Sequence, residues 1–417
     1  MRELPRVVVT GIGMVSPLGP LPRFWERLCA GGNGFVPIDW FDTGPTPPAT
    51  AARVRDWQPK EHIKPAALRR MDRFSQMVVS ACRMALADAA LAPTPSQAEE
   101  MGVVVGAAYG NLLETEAFLA GLIAKGPALA NPMIFPNLVL NASAGYVAIE
   151  LGLRGPNFTV CRNEISGEAA LALAYDTIVC GHADVVLAGG GDEISPVLFH
   201  VSKDLGVLSP GRRRGRRGAA SGREWSSPFD RDRNGMIMGE GAAMLVLERA
   251  EHARARGAAP YAELAGYATQ TARSTPHLWP RASAAAPRAT ADQLRARRGA
   301  DEIDLIVSCA NSTRDLDAFE AAHLAALLGE SVPRALVTSV KAAIGEFGGA
   351  GAFSVAAAAL ALRHGIVPPL AALERADPAC TLRLAVPAAA TPAAPRTALV
   401  SGTARGGACT ALVLVHP

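Results

Sequence analysis

The chain has 417 residues, 49% hydrophobic and 19% charged, enough for a large core in one big domain or two joined halves. A net charge of +3 carries no basic excess of the kind a nucleic-acid partner requires. Seven cysteines (Cys29, Cys82, Cys161, Cys180, Cys309, Cys380, Cys409) show no metal-type spacing, so reduced thiols in the cytoplasm are expected, with no disulfide framework, metal or cofactor.

In chain order, "RVVVTGIG" (6–13) opens as a strand, so no signal peptide is expected. Helical runs follow at 23–31 and 71–91, then strands at 101–108 and 183–192. "SPGRRRGRRGAASGREWSSPFDRDRNG" (209–235) has no apolar period and reads as a long mobile surface loop, a docking patch for an acidic partner if its arginines have a function. Further strands are predicted at 242–250, 303–310, 396–404 and 409–415, and a helix at 317–329. The longest apolar run, "FGGAGAFSVAAAALAL" (347–362), is too short for a membrane span and reads as a buried helix. Continuous apolar strands alternating with helices indicate an α/β protein whose sheets are covered on both faces. Few aromatics and abundant Ala and Gly imply close approach of helices and strands.

"RGPNFTVCRNEISGEAALALAYD" (154–176) runs from a strand through a tight turn into a helix. Such a helix N-terminus is where several folds place a nucleophile. Here the tip is Glu164. Cys161 lies three residues earlier, at the end of the strand, and reads as a packed thiol rather than a nucleophile.

Several blocks together resemble the β-ketoacyl-acyl-carrier-protein synthases: "RVVVTGIGMVSPLG", "RRMDRFSQMVVSACRMALADA", "ELGLRGPNFTV", "ADVVLAGGGDEISP" and, most specific, "SPFDRDRNGMIMGEGAAMLVLERAEHARARGA". The resemblance extends from residue 6 to residue 415. It implies the thiolase-like fold, with two duplicated βαβαβ-type halves (1–253 and 254–417) in an α/β/α/β/α layered core. It also implies a dimer and acyl chains presented on an acyl carrier protein.

The same resemblance exposes losses. The family condenses with a cysteine and two histidines. By the resemblance, the cysteine position is Glu164, the first histidine position is Ala310 in "VSCANST", and the second is Glu346 in "VKAAIGEFGGAGA", where Lys341 is retained. The second aromatic of the family's Phe-Gly-Phe-Gly-Gly loop is Arg405 in "GTARGG". Of the eight histidines only His277, in "STPHLWP", lies on a loop that could face such a site. Unpaired buried charge is costly. Glu164 and Arg405 are therefore expected to pair, with Lys341 and Glu346 close by in one closed ionic network. Tyr109 falls where the family's acyl channel is lined by a smaller apolar residue; it either blocks this subunit's own channel or packs at a strand–helix junction.

The implied function is a non-acylating ketosynthase-like subunit of a type II polyketide synthase, a chain length factor. It would pair with a catalytic ketosynthase and shape the shared acyl tunnel. The glutamate at the elbow points toward partners of polyene- or aryl-polyene-type synthases. The segments "NFTV" and 131–145 would form the interface, and Ile134 and Leu138, one helical turn apart, could face the channel floor. Alternatives are an altered-chemistry ketosynthase homologue or decarboxylase using Glu164, or a catalytic enzyme using Cys161.

Overall fold

A computed structural model describes residues 4–210, 224–280, 290, 292–294, 303–329, 334–386 and 390–417. The elements that position the site are, in chain order, β1 (Val7–Val15), α1 (Leu21–Cys29), α2 (Arg73–Asp88), β2 (Gly102–Gly106), α3 (Leu112–Lys125), α4 (Ala142–Leu151), β3 (Asn157–Val160), α5 (Ser166–Val179), β4 (Val185–Asp192), α6 (Pro196–Asp204), β5 (Gly241–Arg249), β6 (Ala262–Thr271), β7 (Leu305–Val307), α7 (Arg314–Leu328), β8 (Leu336–Thr338), α8 (Ala350–His364), β9 (Arg383–Leu384), β10 (Thr397–Thr403) and β11 (Ala408–Val415).

Among the described residues eleven strands form one ladder, in the order β9-β8-β7-β10-β11-β6-β1-β5-β4-β2-β3. The pairing pattern occurs twice. From β1 outward it is antiparallel to β5, antiparallel again to β4, then parallel to β2 and β3. From β6 outward it is antiparallel to β11 and β10, then parallel to β7 and β8. The halves join where Val7–Val9 of β1 pair with Ala262–Leu264 of β6. The duplication that no residue-level repeat reveals is thus visible in the hydrogen bonding.

Side-chain alternation along the strands separates the core into layers. Val186, Leu245, Leu305 and Leu412 face one central cluster shared with α5 and α8. Val185, Leu187, Met244 and Val246 face the opposite side, against α2. Ile306, Val337 and Leu399 face α7 through Leu324. Helix layers therefore lie outside each half, and α5 and α8 lie between them. The expected buried helix is α8, with every residue from Ala350 to Leu362 buried. A glycine at its N-cap allows the close approach: Gly349 lies so near Gly191 of β4 that a Cβ there would sit 2.0 Å from the Gly191 nitrogen.

Two expectations need correction. The 224–235 part of the Arg-rich stretch is packed, with Trp225, Ser226, Phe229 and Asp230 buried; residues 211–223 lie outside the described residues. Buried Arg233 is held by Asp377 at 2.6 Å and Asp317 at 3.5 Å, so this charge of the stretch is paired internally. Strand β6 was not predicted. "AELAGYATQT" has little β-branched content, and it is a strand because β1 and β11 supply ladders on both sides. Among the described residues no helix is long and apolar enough to cross a membrane.

Candidate functional site: a nucleophile elbow carrying a carboxylate

The turn after β3 is built by Asn163, whose φ of 50 lies in the left-handed region that Asn tolerates better than most residues. Ser166 staples the turn. Its Oγ accepts the Arg162 N–H at 2.9 Å and donates to the Asn163 carbonyl at 2.7 Å. One turn of 3-10 helix, Asn163–Ile165, then leads into α5. Glu164 sits in that turn, 6% exposed.

The wall opposite is positioned by Asp192, at the end of β4. Its carboxylate accepts N–H groups from Ala108, Tyr109, Gly110 and Gly349, at 3.1, 2.7, 2.6 and 3.1 Å. Burial raises the Asp192 carboxyl to about 6, against the pull of those amides. This arrangement fixes Tyr109 half-buried near Glu164. Burial, and next the Glu164 charge, push the Tyr109 phenol up to about 12, so it stays protonated.

The charges resolve into two separate pairs rather than one closed network. In the first, Arg405 Nε lies 3.4 Å from Glu164 Oε1, and the Arg405 backbone N–H donates to Oε2 at 3.1 Å. In the second, Lys341 Nζ donates to both oxygens of Glu346, at 2.8 and 3.0 Å. Asn311, which the sequence reading missed, donates from Nδ2 to Glu346 Oε2 at 2.7 Å. Burial pushes the Glu346 carboxyl up, against Lys341. Burial alone would lower the Lys341 ammonium, but the Glu346 charge raises it, and the double contact is that of an ion pair. Glu164 acts on Glu346 through its charge only, so the pairs communicate without touching.

Ala310 is buried, its carbonyl accepting from Ser339 Oγ at 2.7 Å. His277 is exposed. Cys161 is exposed rather than packed, with Sγ 3.8 Å from the Ala108 carbonyl oxygen. The reason is topological: it follows β3, the edge strand of the sheet. Ile134 and Leu138 are half-buried; Ile134 caps the start of the 3-10 turn Phe135–Leu138 and Leu138 ends it. With three residues per turn, positions four apart do not share one face, so the expected α-helical stacking is absent. Among the described residues no group of three or more His, Cys, Asp or Glu could hold a metal ion.

Another residue escaped the sequence reading. Glu168, in the first turn of α5, is 1% exposed, and its Oε2 has no hydrogen-bond partner. Burial raises it to about 7, partly offset by Lys341. Gly351 and Gly402 make room for it: a Cβ on Gly351 would lie 1.8 Å from Oε2. No local signal marks a lone glutamate on a helix as buried.

The elbow, the duplicated sheet and the central helix pair define a thiolase-like condensing-enzyme fold. The chain belongs to the β-ketoacyl synthase family: models of its N-terminal and C-terminal domains match residues 5–253 and 261–374. It is 34% identical over 423 residues to the tetracenomycin polyketide synthase ketoacyl synthase alpha subunit of Streptomyces glaucescens, covering 99% of this chain and 97% of the relative. Its structure is similar to the ishigamide ketosynthase/chain length factor, with a TM-score of 0.86 and 28% identity, covering both chains fully. It is also similar to a type II polyketide synthase ketosynthase solved with its acyl-carrier protein and bound to the hexaketide, with a TM-score of 0.85 and 26% identity over the whole of both chains. The chain is thus a type II polyketide ketosynthase-like protein.

Replacing Arg405 with Phe should cost about 2 kcal/mol. Glu164 keeps the residue-405 amide but loses its cation, and the pair is partly solvated because the Arg405 side chain is 20% exposed. Urea unfolding of the variant against wild type measures it; a change below about 0.5 kcal/mol would contradict the pairing's role.

Proposed function

We propose that this chain is the non-acylating, chain-length-determining subunit of a two-subunit ketosynthase. The observation that carries the reading is the elbow: its tip presents a carboxylate neutralised by Arg405 instead of a thiolate. Ala310 and the Lys341-bound Glu346 stand where the resemblance places the two histidines. Without them, neither thioester formation nor oxyanion stabilisation has its groups. The glutamate also argues against a general-base role, because both its oxygens are engaged by Arg405. Condensation would take place in a catalytic ketosynthase partner, to which an acyl carrier protein delivers the chain.

An extended apolar face supports the partnership. Ile123 of α3, Met133 and Phe135 in the connector, Ile149 of α4 and Phe158 of β3 are all exposed, Ile123 by 84%. These elements adjoin one another and end at the edge of the sheet. Uncovered faces of this kind mark protein interfaces.

Co-expression with a cysteine-bearing ketosynthase should give a stable heterodimer. In the isolated chain Cys161 should react readily with iodoacetamide; in the complex its labelling should fall at least about tenfold, because it follows the strand edge that the partner would cover. A chain that remains monomeric beside its partner, with Cys161 labelled at the free rate, would overturn the reading.

A further inference from the structure

We infer that the 272–280 loop is a lid locked over the elbow, and that Trp279 and Arg405 together keep thioester electrophiles from reaching position 164. The inference rests on the proposed function: Glu164 is taken to occupy the nucleophile position, and condensation to belong to a partner subunit.

The lock has three layers. Glu164 is innermost, and Arg405 covers it through the guanidinium contact and its own backbone amide. The Trp279 ring lies over the guanidinium, with Cζ 5.2 Å from the ring centroid. Trp279 is half-buried, so the cation–π contact is made between partly desolvated groups, where it is strongest.

Backbone hydrogen bonds hold the layers in register. The Gly406 N–H donates to the Leu278 carbonyl at 3.1 Å, and the Ala272 N–H donates to the Gly407 carbonyl at 2.7 Å. Ser274 Oγ donates to the Leu278 carbonyl at 2.9 Å, which ties the loop to itself. The approach is too close for a side chain: a Cβ at Gly407 would lie 1.9 Å from the Ala272 oxygen, and its φ is 91. The loop bearing Trp279 and the turn bearing Arg405 therefore form one closed unit.

The consequence is a division of labour between the two subunits. An arm carrying a reactive thioester meets indole and guanidinium here and finds no path to the elbow. Restoring a nucleophile at position 164 alone would not restore acylation.

The test uses the full chain with the two exposed cysteines removed (Cys161→Ser and Cys180→Ser) and a thiol placed at the tip (Glu164→Cys). Rates of modification by iodoacetamide and by an acyl-N-acetylcysteamine thioester are read by mass spectrometry. With the lid intact, labelling of position 164 should be slow. Adding Trp279→Ala should raise the rate at least tenfold, and Trp279→Phe, which keeps an aromatic face, should stay near the parent. Because Glu164→Cys removes the innermost layer, a second measurement keeps Glu164: hydrogen exchange of the Gly406 amide should speed up in Trp279→Ala alone. Fast labelling with Trp279 in place, or no change in both measurements on its removal, overturns the lid. A lid failure with an intact, elongating heterodimer would leave the proposed function standing; a working lid on a chain that never binds a ketosynthase would do the reverse.

Discussion

Replacing Lys341 with Met should destabilise the chain by about 4 kcal/mol, the largest effect expected of any single substitution at the site. Lys341 is 1% and Glu346 5% exposed, and both contacts of the ammonium fall on one carboxylate. Without it, Glu346 keeps only the Asn311 amide. The carboxyl must then stay ionised in the core or take up a proton. The cost should therefore shrink as pH falls, because protonation of Glu346 removes the uncompensated charge. The double variant Lys341→Met/Glu346→Leu should recover most of the loss, since well-packed apolar groups replace buried ion pairs at little cost. Equilibrium urea unfolding across the three proteins measures this. A single variant within about 1 kcal/mol of wild type, or a double variant no better than the single, would show that the pair is not the buried unit described.

Glu168→Gln should stabilise the protein at alkaline pH by up to about 3 kcal/mol. The folded state holds the Glu168 proton more tightly than the unfolded chain does, since burial raises the carboxyl from 4.5 to about 7. The group's favourable contribution is thus complete below pH 4.5 and is lost as pH climbs through 7. Above that, the folded protein must hold a buried carboxylate whose Oε2 has no partner. Glutamine keeps the shape that Gly351 and Gly402 accommodate and removes the titration. Glu193, raised to about 8 by burial, imposes the same trend on both proteins, so the difference between wild type and variant isolates Glu168. Unfolding free energies at pH 5, 6, 7 and 8 should diverge from about pH 5 upward. A difference that does not change with pH would refute the assignment.

Much of this was legible in the sequence, for identifiable reasons. Strands covered on both faces, such as β4 and β5, read as continuous apolar runs, and α8 announced itself as a long run of small apolar residues. Strand β6 did not, because its alanines and polar residues owe their conformation to two neighbouring strands rather than to local preference. The Glu164–Arg405 pair was expected and is present at 3.4 Å. Its reach to Glu346 was overestimated, because burial demanded only that each charge find one partner, and Asn311 and the Arg405 amide satisfied the remainder locally. Cys161 was misjudged as packed because edge position is a property of the whole sheet. Asn163, Glu168 and Trp279 depend on turn geometry or on partners distant in the chain, which no spacing pattern encodes.

The central claim is that this subunit shapes products without being acylated. Its most direct test is reconstitution with the partner ketosynthase, carrier protein and malonyl-carrier protein, with product lengths read by mass spectrometry. Glu164→Ala should leave elongation largely intact, and Ile134→Trp, adding volume to the connector segment, should shorten the products. If Glu164→Ala abolishes elongation while the heterodimer stays folded, Glu164 has a chemical role and the account is contradicted.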